Sequence, residues 1–344
     1  DTANLSVLGY NPRDYYTGRS PLEALSIGVD MKTTDVALRC NIVTVSTDEL
    51  PYEEKTIIDH SSSEISTEDA AVLLEAVRKE LENDVYKFYV GTSYRHLTIW
   101  DKGEVVDLTP PHDVLGQKIG QYLPKDDKLR EMMKKSYDIL SNHPINVERM
   151  KKGLNPANSL WFWGAGTRPM LTSFEEKTGH KGAMISAVDL LKGIAVGAGM
   201  KVIEVEGANG GLDTNYEGKA DAAVDVLLNG GCDFAYIHLE APDEMGHQGS
   251  YERKVKAIEN LDKRIIKRVV EKMEAAGEDF RMLVLPDHPT PVAIRTHVSD
   301  PVPYMLYDST DKKNNTWSYN EKDGEASGNY IAEGHTIINR LFEK

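Results

Sequence analysis

The chain has little cysteine: Cys40 and Cys232 are its only two in 344 residues, about 190 positions apart. Neither belongs to a CxxC pair, so a thiolate-only metal site is excluded and both read as separate, reduced thiols. No run of 18 or more apolar residues occurs, so no membrane-spanning helix is expected. No signal-peptide pattern opens the chain, and these absences together predict a cytoplasmic protein. Positive charge is also short, with 40 Lys and Arg against 55 Asp and Glu and a formal net charge of −15. A nucleic-acid or anionic-membrane partner needs a basic field, so neither is expected, and an anionic small substrate would need its own local cluster of Arg and Lys. The run Gly207-Ala208-Asn209-Gly210-Gly211 does not fit the dinucleotide fingerprint, so no Rossmann cofactor is expected. There is no internal repeat and no low-complexity tract.

What is present is enough for a sizeable core: 40% of residues are hydrophobic, and the length suits two domains or one large one. Pro21 to Leu25 reads as a helix start with Ser20 as N-cap. Ala37 to Val45 reads as a strand, and Thr67 to Glu82 as an amphipathic helix with Ala71, Leu74, Val77 and Leu81 on its apolar face. Phe88 to Val90 and Leu97 to Trp100 bracket a Gly-Thr-Ser turn as a hairpin. Asp126 to Ser141 is a second charged amphipathic helix, followed by a polar stretch from Asn142 to Leu154. From about Ser159 the pattern alternates. Leu160 to Trp163, Ala183 to Ile185, Val202 to Val205, Phe234 to Leu239, Leu283 to Leu285 and Tyr304 to Leu306 read as strands. Between them come helices, one capped by Ser173 with Glu176 three residues on, one long from Glu252 to Ala276, and one closing from His335 to Phe342. Strand and helix in alternation predict an α/β fold with a parallel-type sheet flanked by helices.

The residues that carry chemistry sit at the ends of these last strands. Asp243 and His247 follow the apolar run Ile237-His238-Leu239, Asp287 and His288 follow Met282 to Leu285, and His297 comes soon after. Sites in open α/β sheets form beyond the carboxyl ends of strands, so these five can converge on one sheet edge. Carboxylate and imidazole together suit borderline divalent ions such as Mn²⁺ or Zn²⁺. Five candidates exceed what one tetrahedral catalytic metal needs, which favours two metals clamping a transferring phosphoryl group. The plainer alternative is a set of unrelated polar loop residues.

Several stretches, taken together, resemble a known family. They are Asp1 to Tyr10, Gly91-Thr92-Ser93-Tyr94-Arg95-His96, Thr109-Pro110-Pro111-His112-Asp113, Pro156-Ala157-Asn158, Ser186 to Gly193, Asp213 to Tyr216, Glu240 to His247, Pro286-Asp287-His288, and His297 before Pro301-Val302-Pro303-Tyr304. The chain is similar to the archaeal-type branch of the cofactor-independent phosphoglycerate mutases, in the alkaline phosphatase superfamily. The resemblance implies an alkaline-phosphatase-like core with a mostly parallel sheet flanked by helices, formed by residues 1–30 and 166–344, with an inserted smaller α/β lid domain at 31–165. It implies one metal held by Asp243, His247 and His297, and another held by Asp287 and His288 with an upstream Asp and a nucleophilic Ser. Mn²⁺ is the favoured ion, with Zn²⁺, Mg²⁺ or Co²⁺ as alternatives, and no bisphosphoglycerate is needed. In the family the serine immediately precedes the residue matching Asp1, so it and the upstream Asp are expected in a segment before Asp1; Ser6 reads as structural. Arg168 and Lys192 are expected at the phosphoryl group, and His60, Arg39 and Arg95 on the lid side, whereas His96, His112 and His143 read as structural.

The implied reaction interconverts 3-phosphoglycerate and 2-phosphoglycerate through a phosphoserine, in glycolysis or gluconeogenesis. A metal-dependent phosphatase or another phosphomutase on the same core is the alternative, and a non-catalytic binding protein that kept the fold is a third. The sequence leaves homo-oligomerisation open.

Overall fold

A computed structural model describes residues 2–311 and 315–343. The chain divides into two compact units, Thr17–Pro169 and the combination of Asp1–Tyr16 with Met170–Lys344. Two short helices, α1 (Thr2–Val7) and α2 (Pro12–Tyr15), open the chain and belong to the second of these.

The Thr17–Pro169 unit is built on one long strand. Helix α3 (Arg19–Ser26) leads into β1 (Val36–Val45), which is buried at every position. There follow β2 (Ile57–Asp59), α4 (Thr67–Leu81), β3 (Tyr86–Tyr89), β4 (Arg95–Trp100), α5 (Asp127–Leu140), α6 (Pro144–Lys151) and β5 (Ser159–Thr167). The sheet runs β2-β1-β4-β3, with β5 on the other side of β1, and all pairings are antiparallel. Alternation explains how β1 is buried on both faces. Leu38, Cys40 and Ile42 join a core with Leu73, Leu74 and Val77 of α4 and Leu129, Met132 and Met133 of α5. Ala37 faces Ala24 of α3 with Leu97 and Ile99. Ser66 and Asp126 cap α4 and α5 by accepting the N–H groups of Asp69 and Leu129.

Three local expectations change here. Ser20 is not a cap: α3 begins at Arg19, and the wholly buried Ser20 hydroxyl donates to the Gly164 carbonyl. The polar stretch 142–154 contains α6, whose buried Asn146 donates to the Leu140 and Ala157 carbonyls at 2.9 and 2.8 Å and so replaces an apolar face as the anchor. The expected domain break at 165/166 falls inside β5, and α3 packs under β1, so this unit starts at Thr17 and ends at Pro169.

In the other unit the chain continues through α7 (Phe174–Thr178), β6 (Gly182–Ile185), α8 (Asp189–Gly197), β7 (Lys201–Val202), α9 (Tyr216–Leu228), β8 (Phe234–Ile237) and α10 (Ala241–His247). Then come α11 (Tyr251–Asn260), a π-helical turn (Leu261–Ile266), α12 (Lys267–Ala276), β9 (Arg281–Val284), β10 (Met305–Asp308), α13 (Glu321–Ala326) and α14 (Ile337–Phe342). Strands β7-β6-β8 are parallel, as helical crossovers require. Strands β9 and β10 form a separate antiparallel pair, because the loop 285–304 between them contains no crossover helix. The parallel sheet is therefore smaller than the alternation predicted. The π turn also alters the long helix. Val255 and Ile258, expected on the apolar face, are 38% and 51% exposed, while Ile265, Val269 and Met273 pack against Tyr216, Ala220 and Val224 of α9. A π turn carries an extra residue and rotates the face that follows it. No helix among the described residues is long and apolar enough to cross a membrane.

The buried His96 of β4 makes the Thr17–Pro169 unit acid-sensitive. Its Nδ1 accepts the Gly91 N–H at 3.1 Å, its Nε2 has no hydrogen-bond partner among the described residues, and loss of hydration pushes the imidazole down to about 4. The unfolded chain, with an ordinary histidine near 6.5, binds the extra proton first. Stability is therefore complete above pH 6.5 and falls as pH drops from there toward 4, by at most roughly 3 kcal/mol. Denaturant midpoints should fall more steeply over that window in the parent than in H96N, which keeps an acceptor for Gly91; equal pH slopes would contradict this.

Candidate metal centre and anion cluster

The candidate metal centre grows out of the turn from β8 into α10. Pro242 occupies the first turn of α10, where its missing N–H costs nothing. Asp243 and His247, four residues apart, therefore share one face of α10. His297 comes from the loop 285–304. Its Nε2 lies 3.2 Å from Asp243 Oδ1 and 3.0 Å from His247 Nε2, and His247 Nε2 lies 3.3 Å from Asp243 Oδ2. One ligand atom from each of the three residues lies within 4.8 Å of the others. A tetrahedral ion with ligands at about 2.0–2.1 Å sets its donors roughly 3.3 Å apart, so the observed spacing fits a divalent metal.

The surroundings prepare these side chains as ligands. His247 Nδ1 donates to the Arg295 carbonyl at 3.0 Å, which leaves the Nε2 lone pair for the metal. Partial burial and the neighbouring His288 push His297 below its ordinary value, toward the neutral form that binds metals. Thr290 donates its hydroxyl to Asp243 Oδ1, and Lys254 Nζ holds the Thr290 carbonyl at 2.6 Å. The loop can come this near because of Gly246: a Cβ there would stand 2.5 Å from the Thr290 carbonyl. Arg295 itself has φ +58, a left-handed conformation that bulky residues rarely adopt, and its carbonyl is the one that holds His247.

Asp287 and His288 form an adjacent pair and are not in that three-residue set. His288 Nε2 is 3.5 Å from Asp287 Oδ2, and the His288 and His297 ring centres are 3.7 Å apart. Asp287 Oδ2 accepts the Asn4 amide of α1 at 3.0 Å, and Tyr236 of β8 donates to Asn4 Oδ1 at 2.7 Å. Asn4, Thr290, Tyr236 and Arg295 had no assigned role in the sequence. Their contacts with the ligands span up to 283 positions, a distance over which no local pattern signals contact.

Lys192, on α8, lies in the same unit but is paired with Glu204 at 2.9 Å, a bond it would have to break to reach a phosphoryl oxygen. Arg168 falls in the Thr17–Pro169 unit, so it is not a member of the unit that carries the metal residues; its Nη1 donates to the Met31 carbonyl at 2.8 Å. A cavity of about 600 Å³ borders α10 and is lined by Asp213, Glu240, Glu244 and Arg253. Three carboxylates against one guanidinium give it the wrong sign for a phosphate ester.

The candidate anion-binding residues Arg39, His60 and Arg95 lie in the Thr17–Pro169 unit. Across the sheet Arg39 pairs with Trp163, and Asn41 pairs with Arg95. The Arg39 guanidinium lies 4.1 Å over the Trp163 ring and 3.1 Å from Glu23, and the Arg95 guanidinium lies 5.1 Å over Tyr94. Between them run ring contacts from Tyr94 to His60 at 5.7 Å, His60 to His112 at 6.2 Å and His112 to Trp163 at 5.4 Å. His112, read as structural, thus belongs to an arc of two guanidiniums and two imidazoles. The turn after His60 is held in a costly shape. Ser62, Ser63 and Glu64 have φ of 51, 56 and 49°, and Asp59 accepts the N–H groups of Ser61 and Ser63 at 2.8 and 2.6 Å. Burial works against the Asp59 charge, but hydrogen bonds from Asn155, Ser61 and Ser63 outweigh it and hold the carboxyl at about 2.

Known proteins carry the same pattern. The profile described as 2,3-bisphosphoglycerate-independent phosphoglycerate mutase matches residues 1–146, and that of the metalloenzyme superfamily matches residues 95–332. The chain is 50% identical to the 2,3-bisphosphoglycerate-independent phosphoglycerate mutase of Methanosarcina barkeri, over 91% of this chain and 77% of that one. It is 43% identical to the probable enzyme of that name from Geobacter sulfurreducens, over 100% of this chain and 86% of the other. Among solved structures it resembles a cofactor-independent phosphoglycerate mutase from Thermoplasma acidophilum, with TM-score 0.62 and 26% identity over 98% of this chain and 84% of that one. A protein from Pyrococcus horikoshii gives TM-score 0.78 at 28% identity, covering 99% and 82%. With half of the aligned residues shared over most of both chains and two matching profiles, the chain belongs to the 2,3-bisphosphoglycerate-independent phosphoglycerate mutases.

Proposed function

We propose that the protein interconverts 3-phosphoglycerate and 2-phosphoglycerate in the cytoplasm, without bisphosphoglycerate and with two divalent ions, Mn²⁺ before Zn²⁺, Mg²⁺ or Co²⁺. The observation that carries this reading is the meeting of Asp243, His247 and His297 at ligand spacing in a chain of this family. Asp287 and His288 would hold the second ion. Bound divalent ions would supply charge neutralisation of the transferring phosphoryl group and activation of a hydroxyl nucleophile.

The reaction this reading implies is a two-step phosphoryl transfer. A serine hydroxyl would attack phosphorus, the bond to the glycerate oxygen would break with the proton passing to that oxygen, and a phosphoserine would form. Glycerate stays, and its other hydroxyl attacks the phosphoserine, releasing the serine oxygen and completing the transfer. Retention of glycerate needs anion-binding groups, for which Arg39, Arg95 and His60 are the candidates; planar guanidiniums suit carboxylate and phosphate. Arg168 and Lys192 are further candidates for phosphoryl oxygens.

Two measurements test this reading. Full-length protein stripped of metal should be inactive, and Mn²⁺ alone should restore conversion of 3-phosphoglycerate; H247A should lose at least a hundredfold of that activity. Released inorganic phosphate in place of 2-phosphoglycerate would favour a phosphatase instead. R39A and R95A should each raise KM by ten- to a hundredfold, the scale of losing a hydrogen bond to a charged group. Unchanged KM in both would remove them from the substrate site.

A further inference from the structure

We propose that Lys219 is a positioning residue for the metal centre: its ammonium clamps the His238 carbonyl at the point where β8 turns into α10, and so aims Asp243 and His247. The inference rests on the metal reading of Asp243, His247 and His297.

Lys219 lies in the first turns of α9 and is 1% exposed, one of the largest wholly buried side chains in the protein. Burying an ammonium is costly, and an apolar residue of similar volume would fill the space as well or better. Its neighbours on the helix, Tyr216, Ala220 and Val224, are the ones that form the core with α12. The lysine therefore serves something other than packing, and its polar contact identifies what. Nζ donates to the His238 carbonyl at 3.2 Å, and Glu240 opposes the charge from two residues further along.

His238 is held at two more points. Its backbone N–H donates to the Ile185 carbonyl of β6 at 2.9 Å. Its ring Nδ1 lies 3.2 Å from Ser186 Oγ, which also takes the Val188 N–H at 3.0 Å. From this three-point anchor the chain runs Leu239 and Glu240 into α10, whose N-terminus has no side-chain cap of its own. The start of α10 is thus set from behind, by His238. A metal centre with a spacing of 3.0 to 3.3 Å tolerates little rotation of the helix that supplies two of its three donors. Removing the clamp should loosen the ligands before it loosens the fold.

The test measures Mn²⁺ affinity by paramagnetic resonance titration, alongside thermal unfolding of the metal-free protein, for the parent, K219M and K219R. K219M should bind Mn²⁺ ten- to a hundredfold more weakly, the range for groups that orient metal ligands, while its metal-free Tm is unchanged or higher. K219R, which keeps the charge and a donor, should recover part of the affinity. Parent-like affinity in K219M overturns the proposal, and so does an equal loss in K219M and K219R, which would assign the effect to packing. Should K219M not fold, K219Q, uncharged and one bond shorter, is read by the same measurements with the same outcomes. A parent that binds no Mn²⁺ overturns the metal reading itself.

Discussion

Two imidazole nitrogens and a carboxylate meet within hydrogen-bond distance of one another, a spacing that suits a divalent cation. His247 Nε2 and His297 Nε2 are 3.0 Å apart, and the Arg295 carbonyl takes the Nδ1 proton of His247. With its Nδ1 donating to that carbonyl, His247 keeps an Nε2 lone pair that can accept from His297 or bind a divalent ion. Much of the surrounding structure holds this arrangement in place. Two of the donors share one face of α10, Gly246 admits the Thr290 loop, and Thr290 orients the carboxylate. The strained Arg295 backbone belongs to the same arrangement, since its carbonyl fixes the tautomer.

The Thr17–Pro169 unit brings two guanidiniums to one face of its sheet. This follows from the alternation along β1. Leu38, Cys40 and Ile42 go to the helices, and the residues between them, Arg39 and Asn41, go to the aromatic face with Arg95 and Trp163. Aromatic rings then hold the guanidiniums in place, and Glu23 offsets Arg39. Rigid flat cations over flat rings lose little conformational freedom when an anion binds.

How much of this was legible in the sequence depends on the range over which each feature is encoded. Elements of one period were readable: β1, α4 and α5 lie within a residue or so of where their patterns put them. The Asp243 and His247 pair was readable because four-residue spacing on a helix fixes a shared face. Features that depend on a change of period were not. The π turn moved the apolar face away from Val255 and Ile258, and α6 is anchored by a buried Asn146 that looks polar in the sequence. The antiparallel β9 and β10 pair was hidden because a strand after a loop reads the same as a strand after a helix. Arg168 and Lys192 were assigned by similarity of pattern, and their observed partners are Met31 and Glu204. Asn4 and Thr290 carry no local signature, since their meaning arises only from contacts with Asp287 and Asp243 across the fold.

The central claim is that Asp243, His247 and His297 form one metal site, and anomalous diffraction from crystals of the protein grown with Mn²⁺ tests it most directly. The account predicts a peak at about 2.0–2.2 Å from an Asp243 oxygen and from both Nε2 atoms. Full Mn²⁺ occupancy elsewhere in the protein, with no peak among these three side chains, would contradict it.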